Sequence, residues 1–217
     1  MKEKLIILDM DNTILQSHID FPLMRERIYA ILEENGAGDC KRHSVADTLT
    51  VYADSAGYDA ALADKMWRIV ADLEERGLDQ AVLEPGAEEA LAYLARYARL
   101  AVLTNNTDEN LAMQLQTLGI LPYLSFVAGR GSVPRLKPAP DGLLYIMRQF
   151  PGIPRGQVIA VGDATIDAIS AAAAGIVFAA YNRSRKEQWE AHGLQPALRL
   201  TAWSQDACDA LLGLVDG

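Results

Sequence analysis

The chain reads as an α/β protein: a Rossmann-like parallel sheet with helices on both faces, and an α-helical cap inserted after the first strand. Three observations predict this. Short apolar or β-branched runs at residues 5–8, 100–103, 125–128, 158–161 and 176–180 alternate with helical periodicity, the pattern of strands buried on both faces of a parallel sheet. Two of these runs drive straight into pairs of carboxylates, Asp9 with Asp11 and Asp163 with Asp167. Between the first and second runs, residues 20–83 carry helix-period apolar stripes and no convincing strand.

The elements follow in order. The strand at 5–8 ends in Asp9-Met10-Asp11-Asn12-Thr13, where residues two apart share a side and Asn12 invites a turn. In the insert, Phe21, Met24, Ile28, Ile31 and Leu32 trace one apolar stripe, closed by Asn35-Gly36. Met66, Ile69, Val70 and Leu73 trace a second, for which Arg76-Gly77 is the expected stop. Glu84-Pro85-Gly86 punctuates the return to α/β pattern, with a helix over 87–97 and a strand over 99–103. Helices are then expected over 108–118, from Asp141 onward and after Asp167, with an edge strand within 196–203 and a closing helix over 206–214. The domain expectation is therefore an α/β catalytic core, 1–19 with 84–217, and a helical cap, 20–83. An insertion at the carboxyl end of the first strand is expected to serve as a lid over Asp9 and Asp11.

Composition narrows the partners. The 217 residues carry 20 basic and 29 acidic side chains, and a net charge of -9 opposes nucleic acid and anionic membrane surfaces. An anionic substrate then needs local cationic help. The apolar run after Met1-Lys2-Glu3-Lys4 is too short for a signal peptide, and the small-residue stretch 171–181 falls short of a membrane span. Cys40 and Cys208 are too few for a disulfide scaffold or a zinc site, so cytoplasm is the default compartment.

The chemistry gathers at strand ends. Thr104 and Asn105, at the end of the second core strand, offer neutral donors for an oxyanion; alone, they also fit an ordinary turn with Asn105 or Asn106 supporting its backbone. Lys137, in Leu136-Lys137-Pro138-Ala139-Pro140, is a cation on a proline-restricted loop, a setting that also suits a plain surface lysine. Gly162 permits a tight turn into Asp163, with Asp167 four residues on. Asp9, Asp11, Asp163 and Asp167 at the ends of two strands repel unless neutralised, and Mg²⁺ suits a site of hard oxygen ligands. His18, His43 and His192 are scattered, which argues against a softer metal.

At these residues the chain resembles the haloacid dehalogenase superfamily of phosphohydrolases, in its phosphoglycolate-phosphatase-like branch with a helical cap. The four motifs stand in order as Asp9-Met10-Asp11-Asn12-Thr13, Thr104-Asn105, Lys137-Pro138, and Gly162-Asp163 with Asp167. The resemblance implies a covalent mechanism in which Asp9 attacks phosphorus and Asp11 serves as acid and then base. It further implies that Asp9, the main-chain carbonyl of Asp11 and Asp163 hold Mg²⁺ with Asp167 in support. Thr104, Asn105 and Lys137 would bind the phosphoryl oxygens, Lys137 also orienting Asp9.

The presence of Asp11 argues against dehalogenation, since the superfamily's dehalogenases lack this second acid. Asn12 stands where many members have Gly, and Gln16 where they have a further acid. An Asp-Asn-Thr variant is familiar among nucleotidase-like members, so the expected substrate is a small phosphorylated metabolite, phosphoglycolate-like or a nucleoside monophosphate. A phosphomutase and a catalytically silent phosphate-binding module are the alternatives. Arg25, Arg27, Lys41, Arg42 and His43 are candidate cap contacts to a second anionic group, and the oligomeric state, monomer or homodimer, stays open.

Overall fold

The structure, a computed structural model, describes residues 3–42, 44–108, 111–181 and 193–215. In chain order its elements are β1 (Lys4–Leu8), β2 (Leu15–Gln16), α1 (Phe21–Glu34), α2 (Val45–Ala53), α3 (Ala60–Leu78), β3 (Val82–Leu83) and α4 (Ala87–Leu94). They continue with β4 (Ala98–Leu103), α5 (Leu111–Thr117), β5 (Phe126–Ala128), α6 (Asp141–Gln149), β6 (Val158–Gly162), α7 (Thr165–Ala174), β7 (Val177–Tyr181), β8 (Leu198–Leu200) and α8 (Gln205–Gly213).

Six strands form one sheet in the order β5-β4-β1-β6-β7-β8, and every pairing in it is parallel. Parallel strands need crossovers, and helices supplying them cover both faces of the sheet. On one face Leu5, Ile7, Ala101, Leu103, Val158 and Ala160 pack with Leu143 and Ile146 of α6 and Ala168, Ala171 and Ala174 of α7. The alternate residues Ile6, Leu8, Leu100 and Val102 are equally buried, and by strand alternation they face the other way. The fold is thus the α/β Rossmann-like one, with β5 and β8 at the two edges of the sheet.

The chain divides into two compact units, Met1–Gln16 with Val82–Gly217, and Ser17–Ala81. At the seam Leu15 and Gln16 pair antiparallel with Leu83 and Val82. So short a pairing carries no periodicity and leaves no signature in the sequence. Among the described residues, no helix is long and apolar enough to cross a membrane.

Within the second unit the two apolar stripes meet: Met24, Ile28, Ile31 and Leu32 of α1 share a core with Met66, Val70 and Leu73 of α3. Phe21 differs, being 38% exposed at the first turn of α1, where the helix has not yet entered that core. The helix α2 was not foreseen; Ser44 caps it by accepting from Asp47 N–H, and it adds Leu49 and Tyr52 to the core.

Gly77 is the clearest local correction. It does not end α3, which runs on to Leu78 with Asp79 at its cap. A Cβ at Gly77 would lie 2.5 Å from both Cα and N of Ile19, and the Gly77 carbonyl accepts from His18 N–H at 3.1 Å. The glycine is there so that another backbone can touch the helix, and it accepts the helix-propensity penalty for that contact. Gly77→Ala is therefore expected to destabilise the protein by about 1–3 kcal/mol despite alanine's better helix propensity, measured as a lower midpoint in urea unfolding.

Candidate active site

Parallel order β4-β1-β6 brings three carboxyl ends to one edge. Leu8 is in register with Val102 and Val161, so the residues that follow the strands, Asp9, Thr104 and Asp163, emerge side by side. Asp9 N–H still donates to the Val161 carbonyl (2.8 Å) and Thr104 N–H to that of Ala128 (3.0 Å), extending the ladder to the site itself. Beyond Asp11 the chain turns at Asn12, whose φ of 55° is in the left-handed region that asparagine tolerates.

Lys137 lies at the centre. Its Nζ donates to Asp9 Oδ1 (2.6 Å), Asp167 Oδ1 (2.7 Å) and the Leu103 carbonyl (3.1 Å), and its side chain is 5% exposed. All three ammonium protons thus have an acceptor. Burial is the largest influence on this lysine and would lower its pKa, but the charges and hydrogen bonds of Asp167 and Asp9 outweigh it and raise it. The ammonium is held charged in a buried place.

Asp167 is held from both sides, since its Oδ2 accepts from Ala164 N–H at the start of α7 (3.0 Å). A side chain on Gly162 would collide with the Asp167 carboxylate, so the glycine is required for this close approach. Asp9 uses its second oxygen too: Oδ2 accepts from the Thr13 hydroxyl at 3.3 Å. Burial, the largest influence, raises the Asp9 pKa well above its ordinary value; Lys137 pulls it back, and the charges of Asp167, Asp163 and Asp11 raise it again.

Asp9, Asp163 and Asp167 each present a carboxylate oxygen, all within 4.8 Å of one another. Three hard, anionic oxygens this close fit a divalent cation of the magnesium type, which would relieve the carboxylate repulsion that adds to burial in raising the Asp9 pKa. The Asp11 carboxylate is outside this triad. Its Oδ2 accepts from Asn106 Nδ2 at 2.7 Å, with both residues buried.

In the second motif the Asn105 side chain makes a reciprocal pair with the Lys137 backbone: Nδ2 donates to the carbonyl and Oδ1 accepts from N–H, each at 3.0 Å. That asparagine pins the lysine loop. Thr104 is buried beside it, its Oγ1 accepting from Asn106 N–H at 3.1 Å, which leaves the hydroxyl proton to donate elsewhere. Asn106 is the residue missed as a participant; in sequence it is indistinguishable from any turn asparagine. The helix expected over 108–118 is described as α5 only from Leu111, and its start, residues 109–110, lies outside the described residues.

Of the cationic residues singled out in the insert, Lys41 pairs with Glu33, and Arg42 donates to the carbonyls of Asp39 (2.9 Å) and Lys41 (2.8 Å). Arg27 is exposed, and His43, like His192, falls outside the described residues. His18 is exposed, as a surface histidine would be.

A parallel α/β sheet whose carboxyl edge carries an acidic triad and a buried lysine joining two of its members defines a Rossmann-like protein with a charge-balanced site for an anion and a cation. The chain belongs to the haloacid dehalogenase-like hydrolase family, whose model matches residues 6–181. It is 28% identical over 200 residues to phosphoglycolate phosphatase of Pseudomonas syringae pv. tomato, an alignment covering 84% of this chain and 72% of that one. Among solved structures it is similar to a HAD-superfamily hydrolase of subfamily IA from Geobacter sulfurreducens, at a TM-score of 0.62 and 25% identity over 97% of this chain and 96% of the other. A Thermotoga maritima protein provisionally described as β-phosphoglucomutase shares the fold at a TM-score of 0.64 and 17% identity, over 96% and 98% of the two chains. With its family and its phosphatase relatives, the chain is a phosphatase, a phosphoric monoester hydrolase.

Asn105→Ala should release the Lys137 loop, costing about 1–3 kcal/mol for two lost hydrogen bonds in a partly buried place. Denaturant unfolding measures the cost, and a Lys137 ammonium that is no longer pinned should show as a weaker inhibition by inorganic phosphate.

Proposed function

We propose that this phosphatase is Mg²⁺-dependent, acts on a small phosphorylated metabolite and works through a phosphoryl group carried on Asp9. The single observation behind this is the setting of Asp9: a buried carboxylate in the acidic triad, with a charged lysine 2.6 Å from one oxygen. Asp9, Asp163 and Asp167 are the residues that would hold the cation. When bound, the cation supplies the positive charge that keeps Asp9 ionised beside a phosphoryl group.

The chain's own residues do the rest. Asp9 attacks phosphorus with a carboxylate oxygen, forming an O–P bond as the bond to the leaving alcohol breaks. Asp11 gives that alcohol its proton, then takes one from the water that attacks the phosphorylated aspartate. Asn106 keeps Asp11 in place through the bond to Oδ2. The Thr104 hydroxyl and Lys137, the latter by exchanging one of its three present acceptors, bind phosphoryl oxygens, where a buried ammonium and a neutral donor offset charge that cannot be solvated. Residues 20–83 are proposed as the cap domain that selects substrate, the remainder being the catalytic core.

For the substrate, the named relatives support a phosphoglycolate-like metabolite over a nucleoside monophosphate. Asn12, which pointed toward nucleotidases, has a local account in its positive φ. Transfer to water rather than to a second sugar hydroxyl is likewise the relatives' chemistry.

The test is phosphate release across a panel holding phosphoglycolate, nucleoside monophosphates, sugar phosphates and an aryl phosphate. Turnover with Mg²⁺ should vanish in EDTA, return on adding Mg²⁺, and fall about 10⁴-fold or more in Asp9→Asn. Metal-independent turnover, or isomerised sugar phosphate without phosphate release, would contradict the proposal.

A further inference from the structure

The turn that carries Thr13 is held from outside the family-matched segment. The Thr13 hydroxyl donates to Asp9 Oδ2, while its carbonyl accepts from Trp203 Nε1 at 2.8 Å. Trp203 lies between β8 and α8, beyond residue 181, where the family match ends. It is buried and stacks on Tyr181, ring centroids 5.1 Å apart and planes 16° from parallel.

That stack is itself braced. The Tyr181 hydroxyl donates to Glu84 Oε2 (3.0 Å), and Glu84 N–H donates to the carbonyl of Ile14, the residue after Thr13 (2.9 Å). Gly86, with φ of 79°, allows the approach, because a Cβ there would run into the Trp203 carbonyl oxygen. Two successive carbonyls of the turn, those of Thr13 and Ile14, are thus fixed by one cluster of Glu84, Tyr181 and Trp203.

We propose that Trp203 is a positioning residue of this phosphatase: its indole N–H fixes the Thr13 carbonyl, and through it the Thr13 hydroxyl that sets the orientation of Asp9. The proposal rests on Asp9 as the nucleophile. A carboxylate turns about its last side-chain bond, and attack on phosphorus needs one oxygen in line. Lys137 holds Oδ1 and Thr13 holds Oδ2, so the angle of the carboxylate is set only while both partners stay put. The indole is rigid, stacked and buried, so it transmits position where a flexible side chain would not.

Trp203→Phe keeps a stacking ring on Tyr181 and removes only the donor. It is expected to lower kcat about tenfold with KM within about twofold, the size of one lost hydrogen bond of about 1.4 kcal/mol. Thr13→Val should lower kcat as well, and adding Trp203→Phe to it should cost nothing further, since both act on the same carboxylate. A Trp203→Phe enzyme with kcat within twofold of wild type overturns the proposal, as do losses that simply add.

A second measurement needs neither turnover nor a variant that folds. In wild-type protein the Trp203 indole ¹⁵N–¹H resonance should exchange slowly with solvent and shift when magnesium and beryllium fluoride, a phosphoryl mimic, are added. A resonance that exchanges freely or does not move overturns the role of Trp203. A wild-type enzyme that releases no phosphate while that resonance behaves as expected counts against the phosphatase mechanism and leaves the positioning cluster standing.

Discussion

The site depends on one buried cation. Lys137 Nζ bridges Asp9 and Asp167, strands apart in sequence, and caps the carbonyl of Leu103 at the end of β4. Burying an ammonium is costly, and the two carboxylates repay that cost only because their geometry is fixed. Each of the three has a second hold: Asn105 pins the lysine backbone, Ala164 N–H and the space left by Gly162 set Asp167, and the Thr13 hydroxyl sets Asp9. Take the lysine away and three acids share one pocket without the cation that hydrogen-bonds two of them. The charge count is therefore what a phosphoryl group and a divalent cation would have to enter together, one bringing negative charge and the other offsetting it.

Sheet order makes this possible. The parallel sequence β4-β1-β6 sets Thr104, Asp9 and Asp163 at adjacent strand ends, and the segment before α6 carries Lys137 across to them. None of these residues is held by a local motif alone. The core beneath is filled by alternate faces of the same strands, so the stability of the sheet and the alignment of the site are one packing problem.

Much of this was legible in the sequence, for definite reasons. Strands buried on both faces appear as apolar runs, and acids at their ends are conspicuous because carboxylates are rarely placed there without a partner. Helices with a clear apolar stripe, α1 and α3, were visible; α2 was not. The ladder of β2 with β3 was too short to leave a pattern. Glycine misled at Gly77, because a helix stop and a backbone contact ask for the same residue. The separate tasks of Asn105 and Asn106 leave no mark, since nothing in two adjacent asparagines tells which reaches a neighbouring loop and which reaches Asp11. Trp203 was unreadable for a different reason: its partner, the Thr13 carbonyl, is a backbone atom 190 positions away.

The central claim is that Asp9 carries the phosphoryl group between substrate and water. Rapid acid quench of the enzyme with Mg²⁺ and its best substrate, followed by peptide mass spectrometry, tests it most directly. The account predicts the mass of one phosphoryl group on the peptide containing Asp9, appearing before free phosphate and accumulating in Asp11→Asn with a substrate that has a good leaving group. A fully active enzyme whose Asp9 peptide is never modified, with inversion rather than retention of configuration at a chiral phosphorus, would contradict it.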